Sequence, residues 1–454
     1  METSTFHIVS FEQLKRWDVK FYAGLIKSQY PLIPLAEFVM EHNEKVRLSD
    51  SPDKNFTILG VNNYDGIFHS YDALGQDIKQ PYKKVNTGDF AYNPYRINVG
   101  SIGLVQPKYD GAYISPAYVV FSVDKRVILP EVFLLIMKSH FFNKSLRAAT
   151  AGSVRMNLTY PLLKTLKMPV PPLSIQKKIV AYWKASVTKS RKLETYANQL
   201  HEELETSILS QLGLMTKRTN QQPTIMITSW SKLTKWNQRA TYLLTQIPDL
   251  TKGKYPVVNG RNCISEVKHG CSSSPSSKPT SLKVLKLSAV TSGSFLPHET
   301  KYIANKKQYR EKFGLKKGDV LMCRTNGTLD YVGRVAIINQ DYLDVIFPDK
   351  LMRIRCKDNI KPEYLEYILS TSMVRPQIEA GVRTAVGNYA IGNEDVFNIK
   401  FPLPPICEQV ILIRKIIEVK AEIARLKNQA FTIMQNAVKT VEQMILSTHS
   451  GEVK

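Results

Sequence analysis

The run PPICEQVILIRKIIEVKAEIARLKNQAFTIMQNAVKTVEQMIL occupies residues Pro404–Leu446. After its two prolines it contains neither Gly nor Pro. Its apolar residues recur at alternating steps of three and four, the heptad spacing that places one apolar seam along a long helix. Proline has no amide hydrogen to donate, so the pair suits a helix start. The predicted seam is Ile416, Val419, Ile423, Leu426, Ala430, Ile433 and Ala437.

A second run of this kind begins at Pro171-Pro172 and ends near Leu212. Both runs open with the pattern Pro-Pro-(Leu/Ile)-x-x-Gln and have similar lengths. A single seam needs a partner to cover it, so we predict that the two helices pair; the alternative is two unrelated amphipathic surface helices. The second predicted seam is Ile179, Trp183, Ser186, Ser190, Leu193, Ala197, Leu200 and Leu204, and its two serines predict weaker packing.

The two halves of the chain resemble each other beyond these helices. The segments around Trp17, Leu59–Phe68, Gly88–Phe90, Pro130–Leu134 and Pro171-Pro172 return, in that order, around Trp236, Leu287–Phe295, Gly318–Val320, Pro362–Glu366 and Pro404-Pro405. The offset between matching segments drifts slowly, as duplication followed by loop insertion would leave it.

Each half is therefore predicted to be a globular domain followed by a long helix. The segments are 1–170 (first globular domain), 171–214 (first helix), 215–402 (second globular domain) and 403–454 (second helix). Short β-rich runs at Ala117–Val123 and Val335–Ile338 mix with helical runs at Glu131–Ser139 and Glu363–Ser370. This mixture predicts an α/β fold class.

The charge of the chain is strongly positive. Lys and Arg number 62 against 39 Asp and Glu, a net charge of +23. The two long helices carry six basic and four acidic residues each, so most of the excess lies in the globular domains. That distribution favours contact with a polyanion such as nucleic acid over charge kept for solubility alone.

Other classes of protein find little support. The five cysteines form no Cys-x-x-Cys pair, and Cys263, His269 and Cys271 have irregular spacing for zinc, which favours free thiols. We find no run long and apolar enough for a membrane span and no signal-peptide pattern, so we expect a cytoplasmic protein.

Two segments resemble catalytic motifs only weakly. Asn93-Pro94-Tyr95 is similar to the Asn-Pro-Pro-Tyr element of amino-methyltransferases but lacks the second proline. Asp53 followed by Asp77-Ile78-Lys79 has the spacing of a metal-dependent nuclease centre, without an equivalent in the second half. The chain has no P-loop motif.

The candidate nucleic-acid contacts lie among turn residues. Gly88–Gly103 (GDFAYNPYRINVGSIG) corresponds to Cys323–Arg334, and Thr150–Asn157 corresponds to Arg383–Asn388. Arg can bond guanine and Asn adenine through two hydrogen bonds each, while Tyr and Lys can bond phosphate. The alternative is structural turns beside solvated arginines. The predicted contacts are Lys83, Lys84, Tyr92, Tyr95, Arg96, Asn98, Arg155, Asn157, Arg324, Asn326, Tyr331, Arg334, Arg383 and Asn388.

Two globular domains, each followed by a Pro-Pro-(Leu/Ile)-x-x-Gln helix, resemble the specificity subunit of Type I restriction-modification systems over essentially the whole chain. The best motifs are Gly88–Phe90 with Asn93–Arg96 and Gly100–Gly103, Val170–Leu173 and Leu403–Gln409. Cys407 departs from the family pattern, which usually has Ser, Glu or Asp there.

The resemblance implies two target recognition domains held apart by an antiparallel coiled-coil pair, with pseudo-twofold symmetry. Each domain would recognise half of a split double-stranded DNA sequence, and the helices would set the gap. The chain itself would have no active site and no cofactor. Two adenine methyltransferase subunits would bring S-adenosylmethionine, and restriction translocase-nuclease subunits would bring ATP and Mg²⁺. The alternatives are a nuclease or methyltransferase acting alone and a coiled-coil scaffold that binds only protein.

Overall fold

The computed structural model describes residues 26–149, 157–214, 238–245, 247–304, 307–385 and 387–446. The chain forms two compact units: unit 1 is Met1–Glu194 with Lys427–Lys454, and unit 2 is Thr195–Leu426. Each unit therefore contains one globular domain and part of both long helices. The division crosses both long helices.

The two long helices are the largest elements. They are α4 and α12 in the following series: α1 (Pro130–Lys138), α2 (His140–Ala149), α3 (Tyr160–Thr165), α4 (Leu173–Gln211), α5 (Gln238–Thr245), α6 (Gly260–Cys263), α7 (Ser288–Thr291), α8 (Lys307–Phe313), α9 (Pro362–Leu369), α10 (Arg375–Gly381), α11 (Asn393–Phe397) and α12 (Ile406–Leu446). Both begin directly after the predicted Pro-Pro pair; α4 ends one residue before Leu212, and α12 ends at Leu446.

The strands are short and fall into two series. In unit 1 they are β1 (Leu32–Pro34), β2 (Val39–Glu41), β3 (Lys45–Val46), β4 (Asn55–Val61), β5 (Ile67–Leu74), β6 (Tyr82–Lys84), β7 (Phe90–Tyr92), β8 (Ile102–Leu104), β9 (Tyr113–Ile114), β10 (Val119–Val123) and β11 (Lys167–Pro169). In unit 2 they are β12 (Val257–Asn259), β13 (Ile264–His269), β14 (Lys283–Leu285), β15 (Thr300–Tyr302), β16 (Gly314–Leu315), β17 (Val320–Cys323), β18 (Thr325–Asn326), β19 (Val335–Ile337), β20 (Tyr342–Ile346), β21 (Leu351–Cys356), β22 (Arg383–Ala385), β23 (Asn388–Ala390) and β24 (Lys400–Pro402).

The sheets of the two units follow one plan, except that β3 of unit 1 and the sheet β18-β23-β22 of unit 2 have no counterpart among the described residues. In unit 1 the strand orders are β2-β10-β7-β8, β3-β6-β9-β4-β5 and β1-β11. In unit 2 they are β13-β21-β17-β19, β16-β20-β14-β15 and β12-β24. The parallel pair β4 with β9 recurs as β14 with β20, and the other pairs in these sheets are antiparallel in both units. The predicted internal repeat and the mixed α/β class are confirmed.

The repeated Gly-Asp motif closes a turn before the central strand. Gly88 and Gly318 have φ of 97° and 87°, a left-handed conformation that glycine adopts without strain. The side chain of Asp89 accepts a hydrogen bond from the Asn86 amide at 2.8 Å, and that of Asp319 accepts one from the Lys316 amide at 2.9 Å. These residues are therefore turn formers that position the segments following β7 and β17.

The glutamine of the Pro-Pro-x-x-x-Gln opening anchors each long helix. Gln176 accepts a hydrogen bond from the Leu129 amide at 2.7 Å and donates to the carbonyls of Val127 and Pro171. Gln409 accepts from the Lys361 amide at 2.8 Å and donates to the carbonyls of Asn359 and Pro404. Both side chains are fully buried. The motif thus ties the start of α4 to the start of α1, and that of α12 to that of α9.

The long helices pair antiparallel within each unit. In unit 1, Ile179 near the start of α4 shares a core with Val441 and Ile445 near the end of α12, and the Ser190 hydroxyl donates to the Ala430 carbonyl at 3.2 Å. In unit 2, Ile208 near the end of α4 shares a core with Leu412 near the start of α12. The predicted pairing is confirmed.

The structure buries the predicted seam to different degrees. Of the residues singled out as helix contacts, Ile179, Leu204, Ile416, Ile423 and Leu426 are buried, while Trp183, Leu193, Leu200, Val419 and Ile433 are partly buried. Small side chains lie between them: Ser190, Ala197, Ala430 and Ala437 are buried. Small residues let two helix backbones approach closely, so Ser190 is a hydrogen-bonded part of the seam and not a defect in it.

One predicted match between the halves is wrong. Leu59–Val61 lie in β4, whereas Ser288 and Ala289, their proposed equivalents, lie in α7. Strand pairing instead matches Leu59, opposite Ile114, with Val284, opposite Ile346. Ser288 and Ala289 belong to the short helix α7, which follows β14 in unit 2. The Trp17 and Trp236 match lies outside the described residues.

Candidate nucleic-acid interface

In each half a backbone hydrogen bond joins the described regions next to the two candidate segments. In unit 1 the Leu158 amide donates a hydrogen bond to the Pro94 carbonyl at 3.0 Å. In unit 2 the Ile391 amide donates to the Arg324 carbonyl at 3.1 Å. The same backbone contact therefore joins the segment after the central strand to the segment before the final helix-strand pair in both units.

In unit 2 the two segments form one small sheet. Its strand order is β18-β23-β22, with Asn326 opposite Tyr389 and Arg383 opposite Ala390. This sheet has no counterpart among the described residues of unit 1. It brings together three predicted contacts, Asn326, Arg383 and Asn388, and a fourth, Arg324, directly precedes β18.

The side chains of this sheet differ in their freedom to meet a ligand. Arg383 and Asn388 are exposed, and the Arg383 guanidinium lies 3.4 Å from the carboxylate of Asp395. Arg324 and Asn326 are partly buried, and the Asn326 side-chain oxygen accepts a hydrogen bond from the Thr328 amide at 3.0 Å. The exposed pair is therefore better placed for DNA contact than the partly buried pair.

Tyr331 and Arg334 form a stacked pair beside the sheet. The Arg334 guanidinium lies 4.8 Å from the centre of the Tyr331 ring. It also donates to the carbonyls of Thr291, at 2.7 Å, and Asp330, at 3.0 Å. Both side chains are exposed. These contacts hold a positive charge and an aromatic ring in a fixed arrangement at the surface.

The exposed candidates in unit 1 project from the turn after β7. The Asn93 side-chain oxygen accepts a hydrogen bond from the Tyr95 amide at 3.0 Å, and this turn presents Tyr95, which is 59% exposed, and Arg96. Asn98 and Asn157 are partly buried, and Lys84 on β6 is exposed.

Two of the predicted contacts have buried side chains, which places them poorly for contact with DNA. Lys83 is 4% exposed, its ammonium donates to the Tyr118 carbonyl at 2.9 Å, and burial lowers its pKa. Tyr92 is 0% exposed, its hydroxyl donates to the Leu158 carbonyl at 2.9 Å, and burial raises its pKa. Lys83 and Lys84 are neighbours on β6, so their side chains point to opposite faces of the sheet, whereas all three residues of β7, including Tyr92, are buried. Arg155 lies outside the described residues.

A family model for the Type I restriction modification DNA specificity domain matches residues 52–205 and 241–430. Each match covers most of one globular domain and its following long helix. The chain belongs to this family. Its two matches coincide with the two repeats seen in the sheets.

Curated relatives of this specificity-domain protein share low identity with it. The chain is 22% identical over 317 residues to the Type I restriction enzyme EcoKI specificity subunit of Escherichia coli (strain K12), which covers 70% of this chain and 64% of that protein. It is 20% identical over 330 residues to the StySPI specificity subunit of Salmonella potsdam, covering 72% and 66%. The chain thus spans just under two thirds of these relatives.

Two solved structures align with this chain over most of its length at low sequence identity. A chain from a type I R-M system aligns over 93% of this chain and 98% of its own length, with a TM-score of 0.49 and 17% identity. The HsdS subunit from Thermoanaerobacter tengcongensis aligns over 92% and 96%, with a TM-score of 0.38 and 17% identity.

The segments that resemble catalytic motifs gain no support in this specificity-domain chain. The Asn93 side-chain oxygen is used inside its own turn, as described above. Among the described residues, no group of three or more His, Cys, Asp or Glu side chains is placed to hold a metal ion. The candidates from the sequence, Cys263, His269 and Cys271 on one side and Asp53 and Asp77 on the other, therefore form no such group. His269 instead contacts the Asn393 side chain at 2.6 Å.

A third loop adjoins the candidate surface, and none of the contacts predicted from the sequence lies in it. In unit 1 it is the β4–β5 turn, where the Ser101 hydroxyl donates to the Val61 carbonyl at 3.1 Å. In unit 2 it is the β14–β15 connection, which carries the Thr291 carbonyl bound by Arg334. The sequence signal was Asp65-Gly66 between two β-rich runs, a common hairpin pattern.

Proposed function

We propose that this chain is a sequence-specific DNA-binding subunit that recognises a two-part target, one half-site for each unit. The observation that carries the proposal is the duplication. The family match, the main sheet plan and the surface of exposed loops each occur twice in one chain, once in each unit. A protein with two equivalent recognition surfaces fits a split DNA sequence, as paired modules do in other DNA-binding proteins.

The chemistry of the loops supports this role. Each unit exposes arginine and tyrosine side chains at the candidate surface: Tyr95 and Arg96 in unit 1, and Tyr331, Arg334 and Arg383, with Asn388, in unit 2. These residue types bond base edges and phosphates. The net charge of +23 supplies the general attraction for DNA.

The wider assembly is part of the same proposal. The chain positions two adenine methyltransferase subunits and, in the restriction complex, translocase-nuclease subunits; the catalytic sites, S-adenosylmethionine, ATP and Mg²⁺ belong to those partners. The paired helices α4 and α12 act as the spacer that sets the gap between half-sites. On this basis the chain works in the cytoplasm, and among its described residues no helix has the length and hydropathy needed to cross a membrane.

A salt titration against duplex DNA tests the proposal. The apparent affinity of the purified full chain should fall steeply with salt. A plot of the logarithm of the association constant against the logarithm of the salt concentration should have a slope of roughly −0.9 for each phosphate contact. A specific duplex should be bound at least about 10³-fold more tightly than an unrelated one. Affinity that is insensitive to salt would favour the protein-only scaffold. Methyl transfer or cleavage by the isolated chain would favour the enzyme alternative.

A further inference from the structure

We propose that Tyr64, at the tip of the β4–β5 hairpin, is a specificity-determining contact to the first DNA half-site. This inference rests on the proposed function. The phenol of Tyr64 is 87% exposed, and no other large apolar side chain among the described residues is more exposed. A single exposed tyrosine is unremarkable by itself, so the argument depends on how it is held and where it lies.

The hairpin tip is held by several hydrogen bonds. The Asn62 side-chain oxygen accepts from the amides of Tyr64, at 2.9 Å, and Asp65, at 2.6 Å, while its side-chain nitrogen donates to the Asp65 carboxylate at 2.9 Å. The Asn62 amide donates to the Gly66 carbonyl at 2.8 Å, and Gly66 has a φ of 70°. The backbone under the exposed ring is thus ordered before any ligand arrives, which lowers the entropic cost of contact.

The tip lies against the loop that carries the predicted contacts of unit 1. The Ser101 hydroxyl donates to the Val61 carbonyl at the base of the tip, at 3.1 Å. The backbones also meet closely, because a Cβ placed on Gly66 would lie 3.2 Å from the Gly103 Cα. Tyr95 and Arg96 are exposed on that same loop. The hairpin tip that carries Tyr64 therefore adjoins a loop that already exposes a cation and a second phenol.

A tyrosine suits this position chemically. Its hydroxyl can donate to or accept from base edges and phosphates, and its ring can pack against a thymine methyl group or a sugar. Its neighbour Asp65 would repel phosphate if its charge were unopposed. That carboxylate accepts the Asn62 hydrogen bond and lies within electrostatic range of the Lys138 ammonium, so its charge is partly offset.

The second unit lacks this feature at the equivalent place. The β14–β15 connection turns at Ser292-Gly293-Ser294, and a Cβ on Gly293 would meet no atom within 4 Å. The connection thus presents small residues where the first unit presents an aromatic ring. Replacement of Tyr64 should therefore affect only one of the two half-sites.

Selection from a randomised duplex DNA pool tests the inference. The wild-type full chain and its Tyr64→Ala and Tyr64→Phe variants are each used to retain DNA, which is then sequenced, and affinities for the enriched duplex are measured. Tyr71→Ala is the matched control, because Tyr71 is an exposed tyrosine on β5, away from the tip.

For Tyr64→Ala we expect roughly a tenfold loss of affinity and weaker base preference in one half-site, with the other half-site and the gap unchanged. Tyr64→Phe removes the hydroxyl and keeps the ring, so it distinguishes the contribution of the hydroxyl from that of the ring. Tyr71→Ala should behave as wild type. An unchanged motif in Tyr64→Ala, or equal loss in both half-sites, overturns the inference. If the wild-type chain enriches no two-part motif, the proposed function itself fails.

Discussion

Replacing Gln409 with Ala should destabilise unit 2 at the start of α12. The change removes the acceptor of the Lys361 amide and the donor to the carbonyls of Asn359 and Pro404, all at 2.8–3.1 Å. A buried amide left without a partner costs about 1–3 kcal/mol, and the space left by the side chain adds to that. The expected total is about 2–4 kcal/mol.

Hydrogen exchange gives the most direct assay, because it reports on the amide that loses its acceptor. Exchange at Lys361 should accelerate by roughly 30- to 900-fold, the factor that corresponds to about 2–4 kcal/mol. Gln176→Ala should do the same to the Leu129 amide in unit 1, where the three hydrogen bonds recur.

Gln199→Ala is the control, since that side chain is exposed and donates a hydrogen bond to the exposed Glu203 at 2.8 Å. Surface changes of this kind usually alter stability by less than about 0.5 kcal/mol. If exchange at Lys361 stayed within the range of the control, the anchoring role of the Pro-Pro-x-x-x-Gln motif would be refuted.

Three further predictions concern the spacer, the charges and a turn. Deleting one matched heptad from α4 and from α12 shortens each by roughly 10 Å, about three base pairs, so methylated-adenine mapping should show a changed gap with unchanged half-sites; the reverse result would contradict the spacer role. Burial raises the pKa of Glu266, but the Arg353 hydrogen bond and nearby arginine charges outweigh it, and the pKa lies below its ordinary 4.5. The resulting stability is present above pH 4.5 and lost as the pH falls through the lowered value, so Glu266→Gln should flatten acid unfolding curves; an equally steep curve would count against the ion pair. Gly387→Ala should cost only about 1 kcal/mol of backbone strain, because φ is 74° and the new Cβ meets nothing within 4 Å. Gly270→Ala should cost more, because its Cβ would clash with the Pro348 carbonyl oxygen, and equal thermal shifts for the two variants would disprove this contrast.

Heptad spacing and repeated motifs were enough to predict the helices and the duplication. The spacing in Pro404–Leu446 depends only on local helical geometry, so it located α12 and its buried seam from residue identities alone. The Gly-Asp and Pro-Pro motifs were also visible because each is a short local device, a left-handed turn or a helix start, repeated at the same place in both halves.

The outward direction of individual side chains could not be predicted in this way. Lys83 and Lys84 are adjacent and chemically identical, yet strand β6 turns one inward to the Tyr118 carbonyl and the other outward. The small sheet that joins Asn326 to Tyr389 depends on contact between segments far apart in sequence. Sequence patterns therefore determined the two-domain plan and the paired helices, because both follow from local periodicity and repetition. Only the tertiary structure decided which side chains form each surface, because burial and strand pairing are set by distant parts of the chain.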